Sequence, residues 1–225
     1  MLLLTAFEPF DGSGINSSLE ALQTWRAQNS HAPVSIAILP VRYNDDFAAR
    51  QKAFAQCQPQ AIVHFGQTSG ALIDVERLAV NLKHCGPRLE ANRMHAKDSA
   101  VPIGLQHEPI IPDAPAAYVA TFPIEATTAA LQAAGLPARD SAHAGTYLCN
   151  HIFYRSLHHA ATVGPNLPIA FVHLPRSPAQ AGANGTASDI PTLPLETLVQ
   201  AIDIVVEIAL QTSSENSLDK ATGFG

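Results

Sequence analysis

Residues 1–39 read MLLLTAFEPFDGSGINSSLEALQTWRAQNSHAPVSIAIL, and this stretch decides the fold class. It opens on an apolar run, residues 1–7, of the kind that forms a strand buried on both faces. A Gly-containing turn follows. The next segment, to Gln28, carries Leu19, Leu22 and Trp25 at helical spacing, with Ser17 or Ser18 placed to cap it. Residues 34–39 are again short and apolar. Strand, amphipathic helix and strand in that order are the repeating unit of α/β domains, because parallel strands need a crossover between them.

The same alternation runs outward along the chain. It predicts a helix over residues 45–57, a strand at 61–65 ending on Gly66-Gln67, and a fourth strand at 76–82. Further helices are predicted at 124–134 and 145–161, with a buried strand at 169–174 between the latter and the C-terminal region. In the last helix, 195–210, Leu195, Leu198, Val199, Ile202, Val205, Val206 and Ala209 make one core-facing stripe. Residues 84–115 hold Gly, Pro, Asn and charges without a period, which predicts a long irregular segment. The polar run from Ser213 predicts a mobile end. The expected organisation is one domain over 1–212 and a tail over 213–225, with no internal repeat.

A chain of 225 residues suits one domain, and its 47% apolar content supplies a large core. The net charge of −6, with basic residues scattered, argues against a nucleic-acid surface. No apolar run approaches the ~18 residues of a membrane span. The opening run is also too short, and lacks the basic flank, for a signal peptide. A soluble, cytoplasmic chain is expected. Cys57, Cys85 and Cys149 include no CxxC pair, so no disulfide framework is expected. The 10 histidines form no HExxH-type cluster, so no metal site is expected either.

Three residues carry chemistry by their placement. Cys149 lies in AHAGTYLCNHIFY, where Gly145 breaks the preceding segment and Thr146 is a good helix cap. That puts Cys149 in a first helical turn, where unpaired N–H groups and the helix dipole favour a thiolate, the reactive form of the side chain. A buried, inert cysteine on the helix's inner face is the competing reading. His173 ends the apolar run IAFVHLP, and catalytic groups collect at the carboxyl ends of such strands. A histidine there can act as base and acid, or simply bond a loop carbonyl. Glu76 opens another apolar run and could orient an imidazole, or pair with Arg77.

These segments resemble the pyroglutamyl peptidase I (pyrrolidone carboxyl peptidase) family of cysteine peptidases. AGTYLCNHIFY is similar to its nucleophile segment, FVHLPRSPAQ to its histidine segment and GQTSGALIDVERLAVN to its glutamate segment. TAFEPFDGSGINSSLEAL resembles its N-terminal signature, and LETLVQAIDIVVEIAL its closing helix. The resemblance implies Cys149 as nucleophile, His173 as base and Glu76 as the orienting acid. It further implies Phe7, Phe10, Asn16 and Gln67 as substrate-binding residues, and Arg88 if an insertion of about two residues after Glu76 is accepted. Arg176 stands where the family often has an aromatic. The implied fold is a three-layer α/β/α sandwich with a twisted mixed central sheet, of the phosphorylase/hydrolase-like kind. The implied partners are peptides with an N-terminal pyroglutamate; no metal or organic cofactor is implied, and family members are often homo-oligomers. An amidase for another small acyl group on the same scaffold, or a catalytically inactive binding paralogue, would share most of these features.

The placement of Cys149 yields a first prediction. Cys149→Ala abolishes turnover of a chromogenic pyroglutamyl amide, whereas Cys57→Ala and Cys85→Ala keep most of it. Near-parental hydrolysis by the Cys149 variant would remove the nucleophile from this reading.

Overall fold

Alternate residues of the first strand, β1 (Leu2–Phe7), enter two different cores. The computed structural model describes residues 1–10, 12–84, 108–165, 167–182 and 190–222. Leu2, Leu4 and Ala6 pack with Leu19, Leu22 and Trp25 of α1 (Ser17–Gln28). The same layer holds Ile124 and Leu131 of α3 (Ile124–Ala133), and Leu198, Ile202 and Val205 of α6 (Leu195–Thr222). Leu3 and Phe7 face the other way, toward Phe47 and Phe54 of α2 (Asp45–Cys57) and Ile152 and Phe153 of α4 (Leu148–Thr162). This period of two, with both faces apolar, makes the sheet the middle layer of three.

The remaining strands are β2 (Val34–Leu39), β3 (Ala61–Gln67), β4 (Ile73–Glu76), β5 (Leu78–Val80), β6 (Ala117–Val119), β7 (Ala138–Ser141) and β8 (Ile169–Leu174); α5 (Pro178–Gly182) follows β8. The main sheet has the order β2-β1-β3-β8-β4-β7, and β5 and β6 form a separate antiparallel pair. From β2 to β8 the neighbours are parallel; β4 then runs against β8, and β7 runs parallel to β4. The mixed α/β/α sandwich expected from the sequence is the fold. The Trp25 indole N–H donates to Asp203 Oδ1 at 2.8 Å, tying α1 to α6 within their shared layer.

Several expectations are corrected. The strand placed at 76–82 is two elements: β4 ends on Glu76, and β5 begins after Arg77 in a different sheet. Asp74 hides β4 in the sequence, since a carboxylate inside an apolar run reads as a break. Here it is satisfied by the Arg139 guanidinium of β7, at 2.6 Å. The cap of α1 is Asn16, not Ser17 or Ser18; its Oδ1 accepts from the Ser18 N–H. The last helix does not end near residue 210 but continues through Thr222. Its Ser213 and Ser214 hydroxyls donate to the carbonyls of Ala209 and Leu210, so polar side chains are accommodated without leaving the helix.

Burial separates two substitutions. Leu4→Ala, at a site with no exposure, costs about 2–5 kcal/mol of stability. Val163→Ala, at 79% exposure, changes it by less than about 0.5 kcal/mol. Urea midpoints at unchanged m-value measure both, and equal shifts would contradict the assignment of Leu4 to the core.

Candidate active site

Gly145 is held at φ 76°, in the left-handed region that glycine enters without strain. It turns the chain into Tyr147, an extended residue, from which α4 begins at Leu148. Cys149 is therefore the second residue of the helix. Thr146, expected to cap it, does something else: its hydroxyl donates to the His84 carbonyl at 3.1 Å. Among the described residues no side chain caps α4, and the first intrahelical bond is His151 N–H to the Tyr147 carbonyl. The N–H groups of the first turn are thus left without intrahelical acceptors beside the Cys149 thiol, at the positive end of the helix dipole.

Two buried contacts hold this helix start in place, and neither is visible in a sequence pattern. Asn150 is fully buried; its Oδ1 accepts from the Val80 N–H, and its amide donates to the carbonyls of Val80 and Leu82. It fastens β5 to α4 as a neighbouring strand would. His151 donates from Nδ1 to Asp46 Oδ2 at 2.7 Å, with both side chains at 1% exposure or less, and so locks α4 to α2.

His173 is the penultimate residue of β8, where β4 runs antiparallel to it. Its Nδ1–H donates to Glu76 Oε1 at 2.6 Å, with the two side chains 12% and 2% exposed. Burial alone would depress the imidazolium. The adjacent Cys149 sulfur and the Glu76 carboxylate outweigh that and push its pKa up to about 10. A thiol, an imidazole and a carboxylate in this sequence are the arrangement of a nucleophile, a base and the acid that fixes the base's tautomer.

Cys149 and His173 open onto a cavity of about 230 Å³, which Phe7, Phe10, Asn16 and Gln67 also line. The structure thus brings together every sequence-predicted site residue it describes; Glu76 stands behind His173. Arg88 and Cys85 lie outside the described residues. Val41 and Tyr147 also line the cavity, and nothing in their sequence context marks them. Asn16 is 2% exposed and its side chain is engaged in the cap and with the Glu8 carbonyl. Gln67 Oε1 accepts from the Ser17 N–H at 3.1 Å, while the Ser17 hydroxyl donates to the Pro175 carbonyl. Both polar side chains brace the wall. Arg176, beyond β8, pairs through its backbone with Thr192 and Leu193.

The family profile for pyroglutamyl peptidase matches residues 1–212. The chain is 37% identical to pyrrolidone-carboxylate peptidase 1 of Photorhabdus laumondii over 222 residues, covering 95% of this chain and 94% of that one. It is 38% identical to pyrrolidone-carboxylate peptidase of Vibrio vulnificus over 217 residues, covering 95% and 94%. Its structure is similar to that of pyroglutamyl peptidase I from Bacillus amyloliquefaciens, with a TM-score of 0.78, 28% identity and coverage of 92% and 95%. A mutant pyrrolidone carboxyl peptidase from Pyrococcus furiosus gives a TM-score of 0.78 at 30% identity, covering 94% and 98%.

The buried pair sets a pH prediction. Glu76→Gln keeps an acceptor for Nδ1–H but removes the negative charge that favours imidazolium. The charged form loses stabilisation, so the His173 pKa falls below the parental value of about 10. Histidine-ring NMR between about pH 5 and 11 reads this directly. An unmoved titration would show that the carboxylate does not sustain the charge.

Proposed function

Because the chain belongs to the pyroglutamyl peptidase family, and so is a cysteine-type peptidase releasing N-terminal pyroglutamate, we propose that its reaction runs through a thioester on Cys149. The observation that carries this is the 2.6 Å contact of His173 with Glu76 behind a cavity that both His173 and Cys149 line. The Cys149 thiolate attacks the pyroglutamyl carbonyl carbon, forming the C–S bond. The oxyanion is met by N–H groups of the first turn of α4. His173 gives its proton to the departing amine as the C–N bond breaks. It then takes a proton from water, which cleaves the thioester and restores the thiolate. Glu76 holds the imidazole in the tautomer this needs. Arg88 enters the reading through the family resemblance alone.

Phe7 and Phe10 supply apolar wall for a flat, uncharged lactam ring. By the family resemblance, main-chain groups of Gln67 bond the lactam; its side-chain Oε1 accepts from the Ser17 N–H. The reading places the chain in the cytoplasm, acting on peptides with N-terminal pyroglutamate, with a homo-oligomer, frequent among family members, as a further partner of the reading. Among the described residues, no helix is long and apolar enough to cross a membrane.

An apolar slot distinguishes pyroglutamyl from prolyl substrates, whose similar ring carries an ammonium group and no lactam carbonyl. Burying that charge unpaired costs several kcal/mol. A site built to bond the lactam therefore rejects prolyl and glutaminyl amides by roughly 10⁴ in kcat/KM. Comparable rates on the three amides under one set of conditions would remove the lactam pocket and favour an amidase of another specificity.

A further inference from the structure

Three groups converge on one bare backbone position. Gly66, near the end of β3, is the register partner of His173 on β8. A Cβ built on it would lie 2.6 Å from Phe171 Cζ, 2.8 Å from Phe171 Cε1 and 3.0 Å from Cys149 Sγ. Its φ lies outside the left-handed region, so conformational freedom is not what glycine provides here. Glycine provides clearance. The edge of the Phe171 ring and the sulfur both fill space that any other residue would take.

Phe171 is wholly buried and precedes His173 by two residues on β8, so their side chains share a face. Its ring centroid is 4.7 Å from that of His173 at 55°, 5.9 Å from Phe153 on α4 and 6.1 Å from His64 on β3. Aromatic rings thus neighbour it from β3, α4 and its own strand. We propose that Phe171 is a positioning residue for the His173 imidazole, and that Gly66 is the gap that lets its ring and the Cys149 sulfur share one floor. The proposal rests on reading Cys149 and His173 as nucleophile and base.

Two physical effects follow from that placement. The ring limits rotation of the imidazole while Glu76 holds its Nδ1, so Nε2 keeps one direction. An aromatic ring within about 6 Å of a cation also favours the charged form, and here it favours imidazolium. The titratable groups facing His173 are Cys149 from α4, and Glu76 and Asp74 from β4; Asp74, its register partner, is paired with Arg139 of β7. From β3 the nearest is His64, the register partner of Phe171, bonded to Thr5 and Ser156. Burial and the nearby Arg50 push its pKa down to about 3, so it stays neutral. The Phe171 ring thus neighbours two imidazoles, His64 across the strand pair and His173 two residues along β8.

The test uses Phe171→Leu, Gly66→Ala and Cys149→Ala with a chromogenic pyroglutamyl amide, each checked for folding by thermal melting. Removing the ring destabilises imidazolium, so the alkaline limb of kcat/KM for Phe171→Leu moves down by about 0.5–1 pH unit. KM stays near parental, because Phe171 does not line the cavity. Gly66→Ala forces the sulfur or the ring aside and lowers kcat by roughly 10²-fold, as a displacement of about 1 Å does. Should the leucine variant fail to fold, Phe171→Met offers similar reach without a π-face. An unmoved limb in the folded Phe171 variant, or parental kcat in Gly66→Ala, overturns the proposal even while Cys149→Ala is inactive. Activity in Cys149→Ala would overturn the nucleophile assignment itself, and the proposal with it.

Discussion

The hydrogen bond that His173 donates to Glu76, 2.6 Å long and nearly closed to solvent, constrains everything around it. A carboxylate and an imidazolium buried apart would each cost several kcal/mol, so the two are tolerable only together and in good geometry. Glu76 Oε2 has no hydrogen-bond partner among the described residues, so the compensation for burying this carboxylate runs through Oε1 and the ring it holds. That asymmetry favours a charged imidazole. The reversal of the sheet at this point makes the contact possible. With β4 antiparallel to β8, Asp74 stands opposite His173, and Glu76 reaches the ring from two residues farther along the same face.

The contrast with His64 shows that burial does not determine what a histidine becomes. Both rings project from central strands toward α4, and both are largely or wholly closed off from water. His64 meets two hydroxyls, Thr5 at 2.7 Å and Ser156 at 3.0 Å, and burial drives its pKa down to about 3. His173 meets a carboxylate and a sulfur, and burial is overcome. One histidine fills core and links three elements. The other is held toward its protonated form beside the Cys149 sulfur.

What could be read from the sequence follows from which interactions are local. The bounds of α2 and β8 agree with the apolar spacing, and α1 ends where that spacing ends, because burial of one face is written in consecutive residues. β7, with sequence ARDS, carries no strand pattern at all. It exists because Arg139 and its neighbours pair with β4, far away in the chain. Thr146 looked like a cap but serves His84, a partner no local rule could name. In the site, Cys149, His173 and Glu76 were each ambiguous by placement, and family resemblance rather than spacing joined them. Asn150, Phe171 and Gly66 stayed invisible because each acts through a surface supplied by another element.

The cavity wall adds a last constraint, on how specificity is achieved. Asn16 and Gln67 are the polar residues expected to face substrate, yet both side chains are engaged within the wall: Asn16 with Ser18 and Glu8, Gln67 with Ser17. Ser17 in turn is held to the Pro175 carbonyl, next to the strand that carries His173. The side chains thus join α1, β3 and the segment after β8 into one frame, and in the proposed reading main-chain groups meet the ligand. Unlike a side-chain amide, such groups do not turn away when a ligand fails to match them. A ligand without the matching partner leaves them buried and unsatisfied, at about 1–3 kcal/mol each. On the proposed reading, selectivity for a lactam comes from a wall unable to relax, so that residues that never touch the ring decide how strictly it is read.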